Sequence, residues 1–358
     1  MLVPPNRSGP LVGLKVLEIG HYIAAPFCTR ILADLGAEVI KLEPPGGDPF
    51  RGWGAAVNGH SVWFSVHGRN KLSVVLDLKR DRETVLRLAA RADVLVENLR
   101  AGGLERLGLG PEALHAINPR LVVARISGYG QDGPYRDKPA FGAIGDGLLS
   151  ALWQRDVAGT GRGRVVDVNL VDSVFSLMEG MLPEYAMDGR VRQPVGAAIQ
   201  TAAPTNTYPC ADGRWLCIAG NSDLIFSRLM DAIGRPELAS DPAYATNGER
   251  CARRDTLDAA IAAWTRTLPA KQAEAVLEAA DVPCSRLYDI ADCAEDPHFR
   301  ARGSVQEVRD PLIGETLHPG PAIRLDGDAP ETVIGWPGPA AGAHTEYVLR
   351  ELLDPGRG

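Results

Sequence analysis

The stretch Gly13–Pro45, GLKVLEIGHYIAAPFCTRILADLGAEVIKLEPP, decides the fold. Lys15 to Ile19 reads as a strand, Ala24 to Leu35 as an amphipathic helix and Glu38 to Leu42 as a second strand, which makes a βαβ unit. The turn after the first strand, Gly20-His21-Tyr22-Ile23-Ala24-Ala25-Pro26, lacks the GxGxxG spacing, and no GxxxxGK[ST] occurs in the chain. Neither a nicotinamide nor a nucleotide-triphosphatase reading gains support from it.

Outward from this unit the alternation continues. Leu72 to Leu78 reads as strand, Arg82 to Ala92 as helix, Val94 to Glu97 as strand, Pro111 to Ile117 as helix and Leu121 to Ile126 as strand. Such a rhythm predicts an α/β chain, with a large Rossmann-like domain whose mostly parallel sheet is covered by helices. Sites in such sheets lie at the carboxyl ends of strands, which selects Gly20-His21-Tyr22, Asp77-Leu78-Lys79, Asn98 and Ser127-Gly128-Tyr129 as candidate pocket loops. After the helix from Val171 the rhythm breaks, so residues 1–192 are assigned to the large domain. Gln193 to Pro209, rich in small residues and proline, reads as a linker into a smaller α+β domain. There Trp215 to Ala219 is expected as a strand, with helices at Asp223 to Ile233, Arg254 to Thr265 and Lys271 to Ala280. Leu312 to Arg324 and Ala329 to Gly342 read as extended, and His344 to Leu353 as a final helix.

The chain has 358 residues, 45% hydrophobic and 23% charged, enough for two cores. Its formal charge of −7 speaks against nucleic acid as a partner and for small molecules or copies of itself. Six cysteines are scattered without a CxxC pair or histidines at ligand spacing, so no metal site and no disulfide framework is expected. No signal-peptide core and no membrane-spanning run is present, which gives the expectation of a cytoplasmic protein with reduced thiols.

A second stretch carries the chemistry. Gly159–Met178, GTGRGRVVDVNLVDSVFSLM, passes from a glycine-broken turn through a β-branched run into helical spacing, with Asp172 at the change of period. Asp172 reads either as a helix N-cap or as an ionised nucleophile aimed at a thioester carbonyl. A helix N-terminus favours the charged form by roughly 0.3 to 1 kcal/mol, so one geometry suits both roles. Asp167, five residues earlier, makes a poor acid–base partner for it. Ser127 and Ser173 lie in no GxSxG elbow. Lys79, Arg106 and Lys138 are ordinary solvated cations unless one pocket gathers them. His21 either closes a pocket or packs.

Taken in order, the blocks resemble the class III CoA-transferase family of CaiB/BaiF type, which includes formyl-CoA transferase and the related α-methylacyl-CoA racemase. The blocks are Gly13–Arg51, NKLSVVLDLK from Asn70, DVLVENLRAGGLERLGLG from Asp93, NPRLVVARISGYGQDGPY from Asn118, TGRGRVVDVNLVDS from Thr160, DPAYATNGER from Asp241 and AGAHTEYVL from Ala341. The resemblance implies that Asp172, last in the TGRGQxVDVSLxD pattern, is the catalytic nucleophile. It implies CoA contacts at His21, Ile23, Ala24, Leu76 to Lys79, Asn98, Leu99, Arg106, and Lys138 to Phe141. Ile23 stands where some members have glutamine. The reaction implied moves CoA from a small acyl-CoA donor to a carboxylate acceptor through aspartyl anhydride and aspartyl-CoA thioester intermediates. CoA and its thioesters are then substrates, and no tightly bound cofactor is expected. In the family a glycine-rich loop supplies oxyanion donors; the resemblance implies the small-domain loop near Gly220-Asn221 as its counterpart, although the glycine-rich run itself is missing here.

Two departures from the family follow. The racemase branch has a histidine before an aspartate after the GYGQDGP block, whereas this chain has Phe141-Gly142, which disfavours racemisation. Between Ile144-Gly145 and Leu148 the family has several dozen further residues, so a member that binds CoA without turnover is the alternative. The family fold implies an interlocked, ring-like homodimer. It also implies that residues 193–310 form the linker and small domain, and that 311–358 return to complete the large one.

Overall fold

The computed structural model describes residues 8–138, 147–178, 180–323 and 334–353. Its principal sheet has six strands. They are β1 (Lys15–Ile19), β2 (Glu38–Glu43), β5 (Lys71–Val75), β6 (Val94–Glu97), β7 (Val122–Ser127) and β8 (Val165–Asn169). A two-strand hairpin, β3 (Ala56–Val57) and β4 (His60–Ser61), interrupts the numbering. The sheet order is β5-β2-β1-β6-β7-β8 and every pairing is parallel. Counted by chain position, that is 3-2-1-4-5-6, the doubly wound order in which the direction of travel reverses between β1 and β6.

Alternation along the strands fills two cores. Leu17, Leu72, Val74, Leu95 and Val123 pack on one face, while Val16, Val39, Val94, Val122 and Ala124 pack on the other. Burial on both faces explains why these strands read as nearly unbroken apolar runs. Helix α1 (Ala24–Asp34) covers the second face through Ala25 and Ala33, as does α6 (Gly147–Asp156) through Leu148 and Ala151. Helix α3 (Arg82–Ala89) and α5 (Pro111–Ile117) cover the first.

The boundaries expected from sequence shift in places, each for a local reason. The third sheet strand ends at Val75 rather than Leu78, because the Asp77 carboxylate takes the amides of Lys79 and Arg80 at 2.9 and 3.2 Å and turns the chain. Helix α2 (Val62–His67), α4 (Gly103–Arg106) and the β3–β4 hairpin had no periodic signal, being six residues or fewer. The final helix is a three-residue α-turn at Thr345–Tyr347 running into a π-turn at Val348–Leu352.

By internal contacts the chain forms two units, residues 1–179 with 294–358, and residues 180–293. In the first unit, residues 334–353 run along the open edge of β5. Trp336 Nε1 donates to Lys71 O, Gly342 N to Ser73 Oγ, His344 N to Ser73 O, and Val75 N to Thr345 Oγ1. An exposed parallel edge is thereby covered. The antiparallel pair β12 (Val305–Asp310) and β13 (Gly314–Pro319) belongs to the same unit. The second unit has its own core around Leu216, Ile218, Leu229, Leu257 and Leu277. Its antiparallel sheet is β9 (Thr205–Pro209), β10 (Trp215–Ala219) and β11 (Cys284–Arg286), in the order β11-β10-β9. Strand β9 lies inside the stretch read as linker.

Candidate active site

The reversal point between β1 and β6 is stitched by one side chain. The Asn98 carboxamide accepts from His21 N at 2.9 Å and donates from Nδ2 to His21 O at 2.9 Å, which locks the β1–α1 turn to the end of β6. Gly20 permits this approach, since a Cβ there would sit 2.5 Å from Ala25 Cβ and 2.9 Å from Asn98 Oδ1. Beneath the turn, Glu18 is fully buried and ion-paired to Lys41 at 2.7 Å and Lys71 at 2.9 Å. Lys41 also reaches Asp48 at 2.7 Å and Gly20 O at 2.9 Å, so the loops after β1 and β2 share one charged anchor.

A cleft of about 350 Å³ opens at the carboxyl ends of β1, β2 and β5. His21, Leu76, Asp77, Leu78 and Lys79 line it, together with Pro44, Pro45 and Leu107. Two of the four candidate loops, the His21 turn and the Asp77–Lys79 turn, therefore meet in one cavity. Burial lowers the His21 imidazole below its ordinary range, and its Nδ1 is buried without a partner among the described residues. A neutral ring facing this cleft presents a hydrogen-bonding nitrogen rather than a fixed charge. The cleft's Pro44 and Pro45, which no motif singled out, are placed by the Asp48 and Glu43 anchors.

Of the other expected CoA-contacting residues, none of those described is in this lining. Ile23 is exposed at the N-cap of α1 and Ala24 follows it. Leu99 N donates to Glu97 Oε2 at 2.6 Å. Glu97 and Glu105 both pair with Arg125, at 2.8 and 2.6 Å, and this triad fixes α4, which ends in the exposed Arg106. Lys138 is exposed, with its ammonium 3.8 Å from the centre of the Tyr135 ring. Phe141 lies outside the described residues.

Asp172 lies on the same edge of the sheet. Strands β1 and β8 are three positions apart, which puts their ends roughly 14 Å from each other at the usual strand spacing. The N-cap of α7 (Leu170–Ser176) is Asn169, not Asp172, so the capping alternative for Asp172 is corrected. Asp172 stands three residues into the helix, exposed, and its amide donates to Asn169 Oδ1 at 2.6 Å. In return Asn169 Nδ2 donates to Asp172 Oδ2. Asp167 has separate work, since its Oδ2 accepts from Gln131 N at 2.8 Å and holds the Ser127–Gln131 loop against β8. Ser127 Oγ accepts from Gly130 N and Ser173 Oγ donates to Asn169 O, so each holds a local backbone turn. In the second unit Gly220 N donates to Pro204 O, so the glycine expected to supply an oxyanion donor has its amide engaged.

A sequence profile described as CoA-transferase family III matches residues 11–148 and 145–345. The chain is 41% identical to succinyl-CoA–D-citramalate CoA-transferase of Chloroflexus aurantiacus, over 98% of this chain and 95% of that protein. It is 34% identical to acetyl-CoA:oxalate CoA-transferase of Acetobacter aceti, over 93% and 94%. Among solved structures it resembles a CAIB/BAIF family protein from Brucella suis, with TM-score 0.81 and 31% identity over 97% of this chain and 100% of that one. The alignment with the Chloroflexus protein spans 388 positions against 358 residues, so at least thirty fall opposite gaps in this chain. The profile match divides at residues 145–148, where the sequence blocks also show the shortening.

Proposed function

Since the chain belongs to CoA-transferase family III and is by that membership a CoA-transferase, we propose that Asp172 is its nucleophile and that it serves succinyl-CoA and a small dicarboxylate acceptor. The observation that carries this reading is the Asp172 carboxylate. It is exposed at the carboxyl edge of the sheet, and among the described residues it has no cationic partner to neutralise it. The dicarboxylate preference is supported by the named substrates of the 41% and 36% identical relatives, D-citramalate and L-malate.

One carboxylate oxygen of Asp172 adds to the donor thioester carbonyl and expels CoA thiolate, giving a mixed anhydride. The thiolate then adds to the Asp172 carbonyl carbon and expels the donor carboxylate, leaving an aspartyl-CoA thioester. The acceptor carboxylate displaces CoA to form a second anhydride, and CoA attacks the acceptor's carbonyl, returning Asp172 to its carboxylate. The His21–Lys79 cleft holds CoA in this reading, with Lys79 and Arg106 offering charge to its phosphates.

The enzyme is assigned as an interlocked homodimer. Leu149, Trp153, Val174, Phe175 and Leu177 in the first unit, and Leu182, Tyr185 and Met187 in the second, are large apolar side chains left exposed in the single chain. Such a concentration within forty residues is typical of a covered surface. Light scattering is expected to give twice the chain mass, and a monomer at micromolar concentration would refute the assignment.

Hydroxylamine trapping after incubation with succinyl-CoA is expected to modify Asp172. Asp172→Asn is expected to lose roughly 10³-fold or more in turnover, the scale for removing a covalent nucleophile. Absence of any adduct with several short acyl-CoAs would sink the assignment. The shortening at 145–148 favours one second reading, CoA binding without turnover. Calorimetric binding of CoA alongside no exchange of labelled carboxylate is the result that would select it.

A further inference from the structure

We propose that the Asn169 side-chain amide is the oxyanion donor for the two substitutions that take place at the Asp172 carbonyl carbon, an inference that rests on Asp172 being the nucleophile. The orientation of this amide is fixed by its surroundings. The Asp172 backbone N–H can only donate, so the atom facing it at 2.6 Å is Asn169 Oδ1, and the NH2 group is left on Asp172 Oδ2. Asn169 is held there as the N-cap of α7, in extended conformation with φ −104° and ψ 141°. The neighbouring loop stands close by, since a Cβ built on Gly130 would lie 3.7 Å from Asn169 Nδ2. Among the described residues no hydrogen bond reaches Asp172 Oδ1.

This arrangement divides the two oxygens by role. Oδ1, free, is the one that attacks the donor thioester and becomes the bridging oxygen of the anhydride. Oδ2 becomes the carbonyl oxygen of the acylated aspartate and keeps the Asn169 N–H. When CoA thiolate adds to the Asp172 carbon, the carbonyl electron pair moves onto Oδ2, directly at that donor. Collapse breaks the C–Oδ1 bond, forms the thioester and releases the donor acid carrying Oδ1. The acceptor carboxylate adds to the same carbon with charge again on Oδ2, and the C–S bond breaks. In the first and last substitutions the charge develops on the acyl group's own oxygen instead. Asn169 therefore favours the middle pair, and directs thiolate to the enzyme's carbonyl rather than back to the donor's. It fills on α7 itself the role expected of a Gly220 amide that is already engaged by Pro204 O.

The test is rapid acid quench of the full-length enzyme mixed with succinyl-CoA alone, followed by the mass of the peptide bearing Asp172. Wild type is expected to carry mainly the CoA adduct. In Asn169→Ala the acyl adduct is expected to predominate, with the ratio of CoA to acyl adduct falling about 10²-fold, the effect of losing one such donor. Asn169→Ser, which keeps both a capping oxygen and a donor, is expected to restore most of the ratio. Asn169→Asp keeps shape and cap but lacks the donor, and serves if the alanine variant unfolds; it is expected to shift the ratio as alanine does. A merely structural role would lower both adducts together, so an unchanged ratio in the alanine and aspartate variants overturns the proposal. Wild type with neither adduct on Asp172 overturns the nucleophile assignment, and this inference with it.

Discussion

At the residue scale the site depends on short polar groups spending both of their hydrogen-bonding ends. Asn98 uses its oxygen and its nitrogen on one residue, His21, and Asn169 does the same toward Asp172. Asn98→Ala would leave the His21 N–H and C=O part-buried and unpaired. The expected cost is about 1–3 kcal/mol by urea unfolding, with weaker CoA binding by calorimetry; unchanged binding would show that the switch-point stitch does not shape the cleft. The residue types of this site were legible in the sequence, because Asp172, His21 and Lys79 stand in blocks of fixed order. Their partners were not. Asn169 carried no signal beyond standing where the family pattern has serine, and its pairing with Asp172 exists only once α7 forms. Asp167 and Asp172 were separable by spacing, but the loop that Asp167 holds was set by a neighbouring strand 36 residues away in sequence.

At the element scale the strands with apolar runs were read in their places, some with shifted ends, whereas most polar strands were missed, although Gly314–Pro319 falls inside the stretch Leu312 to Arg324 read as extended. Lys15–Ile19, Val94–Glu97 and Trp215–Ala219 were read with the bounds observed. Thr205–Pro209 (TNTYP) and Val305–Asp310 (VQEVRD) were missed because their polar residues are satisfied by a partner strand that no local pattern announces. The glycines before β8 illustrate the same division. Gly163 was visible as part of a turn, yet its need is tertiary, since a Cβ there would meet Leu121 O at 2.0 Å and Arg120 O at 2.6 Å. These are backbone atoms of the neighbouring strand's approach and cannot rotate away. Gly163→Ala is expected to cost about 1–3 kcal/mol and, by displacing β8 and the helix it feeds, to lower turnover at least tenfold. Wild-type turnover in that variant would show that Asp172 tolerates movement of its strand.

Across the whole molecule, buried ionisable groups make stability depend on acidity. Burial, reinforced by Arg30, Lys71 and Arg69, depresses His67 to about 3, and burial beside Arg69 depresses His318 to about 4. Burial raises the Glu18 carboxyl, but Lys41 and Lys71 outweigh it and hold the group at about 2. All three folded values lie below the ordinary ones of 6.5 and 4.5, so on acidification the unfolded chain takes up protons first. Their contribution is present at neutral pH and lost as pH falls, from 6.5 toward about 4 for His318, from 6.5 toward about 3 for His67, and from 4.5 toward about 2 for Glu18. The urea midpoint is expected to drop between pH 7 and pH 4.5, with a shallower slope in His318→Gln, and a flat profile would contradict the assignment. What the sequence by itself determined is the α/β class, the parallel rhythm and the family of Asp172, because strand alternation and block order are properties of neighbouring residues. Tertiary structure alone decided which strands adjoin, that residues 334–353 seal β5, that two loops share one cleft, and that Asn169 pairs with the Asp172 carboxylate. These last depend on hydrogen bonds and close contacts between groups placed side by side only by folding, and no local spacing encodes a distance of that kind.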